Sequence, residues 1–222
     1  MKKIINKFIL LAILTIPNIC SAQQINWRNF KDNKTHIVNI NMGWDYGLVA
    51  GIGYGHKLKT KLPIVLNIEY SSPFGEKVFD DIKTKLGGQA EVIKANSFSV
   101  SIKAYSIFRR YENEFARLVN FGSEFSTNFG YYKLKWYIAG EFGFDKAITT
   151  HIKNSKEMKS IYPNIQDGWY VPTGGNFFYG IISGYTFKSI DVYIKAGKSV
   201  TQDFKVTPTI PVYLQLSFNR RF

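Results

Sequence analysis

The sequence predicts an all-β fold, a closed antiparallel up-and-down β-barrel of about ten strands built as one domain from residue 23 to residue 222. Three observations carry that expectation. Apolar and polar residues alternate with the period-2 rhythm of a strand in one segment after another. The connections between these segments are alternately short and long. Glycines recur on the polar face, at Gly51, Gly53, Gly55, Gly87, Gly122, Gly143, Gly180 and Gly184. An open solvated surface has no use for them, whereas a narrow interior needs small residues beside large ones. Aromatics at 16% and hydrophobics at 45% exclude a disordered chain.

Residues 1–22, MKKIINKFILLAILTIPNICSA, have a basic start (Lys2, Lys3, Lys7), an apolar run broken by Pro17, and the small-residue site Cys20-Ser21-Ala22. This is the pattern of a cleaved signal peptide, and its apolar run is too short to span a bilayer. The bulky Ile19 does not fit a lipid-attachment signal at Cys20. Cleavage after Ala22 removes the only cysteine, which excludes disulfides and thiol chemistry. It also removes three lysines and no acid, taking the formal net charge from +13 to +10. For an exported chain that balance points to anionic lipid phosphates and away from nucleic acid.

The elements then follow in order. Residues 23–34 are polar apart from Trp27 and Phe30 and are assigned no strand, which leaves open whether 23–35 form an extra strand or a plug. His36 to Trp44 and Leu48 to Leu58 alternate around a turn at Asp45-Tyr46-Gly47 and read as a hairpin. A lysine-rich turn, Lys59 to Lys61, precedes a strand through Ile64, Leu66, Ile68 and Tyr70, and Ser71 to Asp80 reads as a loop. Thr84 to Val92 alternate, and Gly87-Gly88 would cost a helix there about 2 kcal/mol, so this stretch is assigned a strand. A turn at Lys94 to Asn96 leads to Phe98 through Phe108; RRYENEF is a charged turn; Val119 to Ser126 is the next strand. After a turn around Phe129 to Lys133, LKWYIAGEFGFD is the clearest internal strand, followed by a long irregular segment from Lys146 to Gly175. Phe177 to Phe187 and Ile190 to Ala196 flank a Lys188-Ser189 turn, and Gly197 to Pro211 is a second sizeable loop.

The chain ends on VYLQLSFNRRF, with Val212, Leu214, Leu216, Phe218, Arg220 and Phe222 on one face. This resembles the terminal strand of bacterial outer-membrane β-barrels, whose alternating apolar positions culminate in a C-terminal Phe. Arg220 and Ser217 depart from that pattern, and an Arg near the water boundary can snorkel. The resemblance implies a transmembrane, porin-like barrel in the bacterial outer membrane, with Phe218 and Phe222 as the signal read by the barrel assembly machinery. Membrane lipids, including lipopolysaccharide phosphates, are then its surroundings. In that frame the short turns face the periplasm and the long connections face outward.

With the apolar face toward lipid, Trp44, Tyr54, Tyr70, Trp136, Phe144, Phe177 and Tyr185 fall near strand ends as girdle aromatics. The lumen receives Lys83, Lys85, Lys103, Arg109, Lys135 and Lys195 against Glu69, Glu91, Glu124, Glu141 and Asp191. The signs nearly balance. A selective pore is expected to carry an excess of one sign, so the expectation is a network of ion pairs filling the lumen, with Glu124 and Glu141 pairing to Lys103 or Lys135. The outer rim gathers Arg110, Asp145, Lys146, His151, Asp167, Trp169, Asp203 and Lys205 as a candidate binding surface on loops carried by a rigid scaffold. No catalytic constellation, cofactor motif or metal-ligand spacing is recognised. The resulting expectation is a structural or accessory barrel. A narrow channel for small solutes and a surface-binding or lipid-modifying protein are the alternatives.

Overall fold

The structure, a computed structural model, describes residues 23–30, 33–45, 47–74, 81–172, 174–204, 208 and 211–222. The expected signal peptide and Lys205 lie outside the described residues. The strands are β1 (His36–Trp44), β2 (Leu48–Lys57), β3 (Ile64–Pro73), β4 (Asp81–Ala95), β5 (Phe98–Glu112), β6 (Ala116–Tyr132), β7 (Trp136–Asn154), β8 (Gly168–Tyr170), β9 (Gly175–Phe187), β10 (Ile190–Thr201) and β11 (Val212–Arg221). A 3-10 turn, Trp27–Asn29, precedes them, and one short helix, α1 (Lys156–Ile161), lies between β7 and β8.

Each strand pairs antiparallel with its neighbours, β7 pairs directly with β9, and β1 pairs with β11, so ten strands close into a barrel and β8 hangs on the outer end of β7. Closure leaves no free edge through the membrane, which is the condition for strands to span lipid. The seam is fixed at the short-turn end by Phe222, whose backbone N–H donates to the carbonyl of His36 and whose carbonyl accepts from the His36 N–H, each at 3.0 Å. The Phe222 ring stacks on His36 at 5.5 Å between centroids.

The predicted phase holds around the wall. Leu66, Leu86, Phe125, Phe142, Ile181 and Leu214 are exposed on the outside, while Asn39, Glu69, Ser101, Glu141 and Asn219 are buried inside. Gly184 admits the ring of Tyr137 and Gly143 that of Phe178, because a Cβ at either glycine would collide with the aromatic beside it.

Several boundaries differ from the sequence expectation, all in one direction. Ser71 to Pro73, Arg109 to Glu112, Lys146 to Asn154 and Gly197 to Thr201 were expected in turns or loops and instead continue β3, β5, β7 and β10 outward. The turn between β6 and β7 falls at Lys133 to Lys135, after Tyr132, because Phe129 and Gly130 stay in register with Gly140 and Ala139. β7 has 19 residues, and at about 3.3 Å per residue it outruns an apolar band about 25 Å tall. The polar residues at its outer end form a wall standing in water, which is why their composition resembles a loop.

Candidate functional site

The lumen is filled from the end of the short turns by the chain's own N-terminal segment. Gln23 to Phe30 lies inside the barrel without pairing to any strand, and Gln23 and Asn26 have no exposed surface at all. Its amide side chains explain the fit, since each offers both donors and an acceptor to a polar wall. Asn26 starts the 3-10 turn: its side-chain oxygen accepts from the Arg28 N–H at 3.2 Å, while its Nδ2 donates to the Lys133 carbonyl at 3.0 Å and to Thr186 Oγ1 at 2.9 Å. The Gln24 N–H donates to Tyr193 Oη at 3.0 Å, Gln24 Nε2 donates to Tyr132 Oη at 3.1 Å, and Gln24 Oε1 accepts from Lys103 Nζ at 3.2 Å. Asn219 donates to the Gln24 carbonyl, and Gln89 Nε2 donates to that of Gln23 at 3.1 Å. Below these, Ile25, Trp27 and Phe30 join Ile37, Val65, Tyr132, Tyr137 and Ile182 in a small apolar cluster, with the Tyr132 and Tyr137 rings stacked at 5.4 Å.

Above the plug lies a layer of charge. Glu141, with a side chain 1% exposed, accepts from Lys195 Nζ at 2.6 Å and faces Lys103 Nζ at 3.6 Å. Lys85 donates to Glu124 at 2.5 Å. Arg221 holds Asp191 at 3.0 Å nearer the periplasm, and Glu91 accepts from Ser99 Oγ at 2.5 Å. Toward the mouth, Arg109 meets Asp81 at 2.7 Å and Lys83 approaches Asp45 at 3.7 Å. Lys135 is the exception to the expected lumen set. It sits exposed in the turn before β7, because the alternation of LKWYIAGEF runs on past the end of the strand and says nothing about direction there. The partners of Glu141 and Glu124 are accordingly Lys195, Lys103 and Lys85.

The outer mouth holds a vestibule of about 420 Å³ lined by Lys83, Arg109, Tyr111, Asn120, Asp145, Lys146, Thr150 and Asn176 among others. The expected rim set divides here. Asp145 and Lys146 line the vestibule. Arg110 instead pairs with Glu112 two residues along the same strand. His151 packs edge-on against Trp169 at 5.0 Å, with Trp169 also near Phe121, a residue of the outer face. A register shift between Phe121 and Gly122 turns this end of β7 around and separates His151 from Asp145. Asp203 accepts from Thr201 at 2.8 Å beyond β10. Asp167 ties α1 to the end of β7, accepting from Lys159 at 2.7 Å and from the Asn154 N–H at 2.9 Å. The Lys159 ammonium and that N–H together hold its carboxyl down to about 2.

The plug residues, the lumen tyrosines Tyr132, Tyr137, Tyr193 and Tyr213, and the vestibule residues Asn120 and Asn176 form part of this site without having been singled out from the sequence for it. For the plug a signal exists: four amides with Trp27 and Phe30, directly after the expected cleavage point. It is a compositional signal and carries no period.

No protein-family model matches the chain, and no curated protein does. Two solved structures are similar in shape: a KdgM porin in complex with disordered oligogalacturonate, with a TM-score of 0.42, and a KdgM porin with a TM-score of 0.41. Each is 9% identical and covers 84% of this chain and 99% of its own. Likeness at that level bears on no solute, and the barrel stands on its own strand pairing.

Proposed function

We propose that the protein is an outer-membrane barrel working as a narrow channel for small solutes, closed at rest by residues 23–30. The observation that carries this reading is how the plug is held. It contributes no strand to the barrel, so it can leave without opening the wall, and the groups it releases, which are hydroxyls, amides, Lys57, Lys103, Arg221 and the Glu69 carboxylate, are ones that water can satisfy. The apolar outer belt and the closed, polar-lined barrel support placement in the outer membrane. A vestibule already open to the outside supplies the approach.

The test is planar-bilayer recording of the processed barrel beside a variant lacking residues 23–30. The whole barrel should be nearly silent with brief openings, and the shortened one should conduct steadily. Silence from both, with the shortened barrel folded by its heat-modifiable migration on gels, would return the protein to a structural or accessory role.

A further inference from the structure

Glu69 is buried in the lumen at 1% exposure, and among the described residues it has no lysine or arginine within ion-pair distance. Lys85, its cross-strand neighbour, is committed to Glu124. The single hydrogen bond to the Glu69 carboxylate comes from the backbone nitrogen of Gln23, at 2.9 Å to Oε1. Its second oxygen, Oε2, is buried with no donor. One neutral N–H is poor company for a buried carboxylate, which needs a charged partner or several donors. Outward of this layer the lumen holds a cavity of about 70 Å³, lined by Lys85, Glu124, Lys195 and Tyr213 among others. It has room for a few waters.

We infer that Gln23 is the mature N-terminus and that its α-ammonium is the counter-ion of Glu69, the latch of the plug. Processing supplies it: water hydrolyses the Ala22–Gln23 peptide bond, Ala22 leaves with the carboxylate, and the freed Gln23 nitrogen takes up a proton. That exchanges one neutral donor for a full positive charge with three, within reach of both carboxylate oxygens. Export processing thereby becomes a precondition for closing the barrel, because only the cut chain brings the charge that Glu69 lacks. The latch rests on the plugged-channel reading for its consequence, while the ion pair itself does not.

Intact mass and amine labelling of barrel recovered from outer membrane test it. The expected mass is that of residues 23–222 with a free amine, and acetylation of that amine should be roughly tenfold or more slower in the folded barrel than after unfolding. In Glu69→Gln the protection should fall severalfold and openings should become frequent. Three results would overturn the inference: a start other than Gln23, a mass lower by one ammonia (a neutral lactam formed by Gln23 closing on its own side chain), or an α-amine equally reactive folded and unfolded. If Glu69→Gln does not fold, the wild-type labelling still decides. Silence of the barrel lacking residues 23–30 would sink the channel reading and leave the mass and labelling results standing.

Discussion

The two ends of the lumen are closed by different means. At the short-turn end a separate piece of chain fills the space, and its contacts are mostly neutral amide, hydroxyl and carbonyl groups. At mid-height the wall fills itself with paired charges that belong to strands on both flanks. A neutral hydrogen bond can be exchanged for water at little net cost. A buried ion pair cannot lose one partner without stranding the other. The difference separates the part of this lumen that can move from the part that holds the wall in place.

The sharpest way to break that contrast is Glu141→Ala, which strands both Lys195 and Lys103. It should cost about 3 to 5 kcal/mol, seen as a clear drop in the temperature at which the compact gel form is lost. Combining Glu141→Gln with Lys195→Met should be milder than Glu141→Ala, since only Lys103 is left to repair. No thermal penalty from Glu141→Ala would show that the charge layer does not support the wall.

Asn26→Leu removes the bonds to Lys133 and Thr186 and should weaken plug docking by about 1 to 3 kcal/mol. It is expected to raise opening frequency and protease cleavage next to Arg28 while leaving the barrel's melting nearly unchanged. A melting loss equal to that of Glu141→Ala would erase the distinction between movable and fixed parts.

A tag placed between Ser155 and Ser160, ahead of and within α1, should bind antibody on intact cells, and one at Lys59 to Lys61 should not. The reverse pattern would put the vestibule in the periplasm and the plug outside.

The smallest effect concerns Asp167, which lies at the surface. Its carboxyl sits at about 2 in the folded chain, against roughly 3.9 for a free Asp. A lowered folded value means that its support for the α1 connection is complete above the free value and is lost as pH falls through about 2. Proteolysis or exchange at residues 155–167 should therefore be flat from neutral pH to about 5 and rise below 4. Asp167→Asn should show the loosened behaviour at every pH.

The wall was legible because a period of two is hard to disguise: Val38, Ile40, Met42 and Trp44 announce β1 as plainly as Phe218 and Phe222 announce the last strand. Direction failed where alternation outlived the strand, at Lys135, and where a register shift intervened, before His151. Lumen charges could be chosen by parity, but partners could not, since pairing Glu141 with Lys195 depends on β7 lying beside β9 and not on sequence neighbourhood. The plug was opaque for another reason. A segment held by side-chain amides has no repeating face to read.

The β1–β11 seam governs the order of events in making this protein. His36 finds Phe222 only when the chain has been made through Phe222, and pairings so distant along the chain form slowly. Gln24 donates its N–H to Tyr193 and its carbonyl accepts from Asn219, so the plug cannot be seated before the last two strands arrive. Residues 23–30, made before every strand, are thus among the last to dock, and they wait in water while the cylinder is rolled up around them.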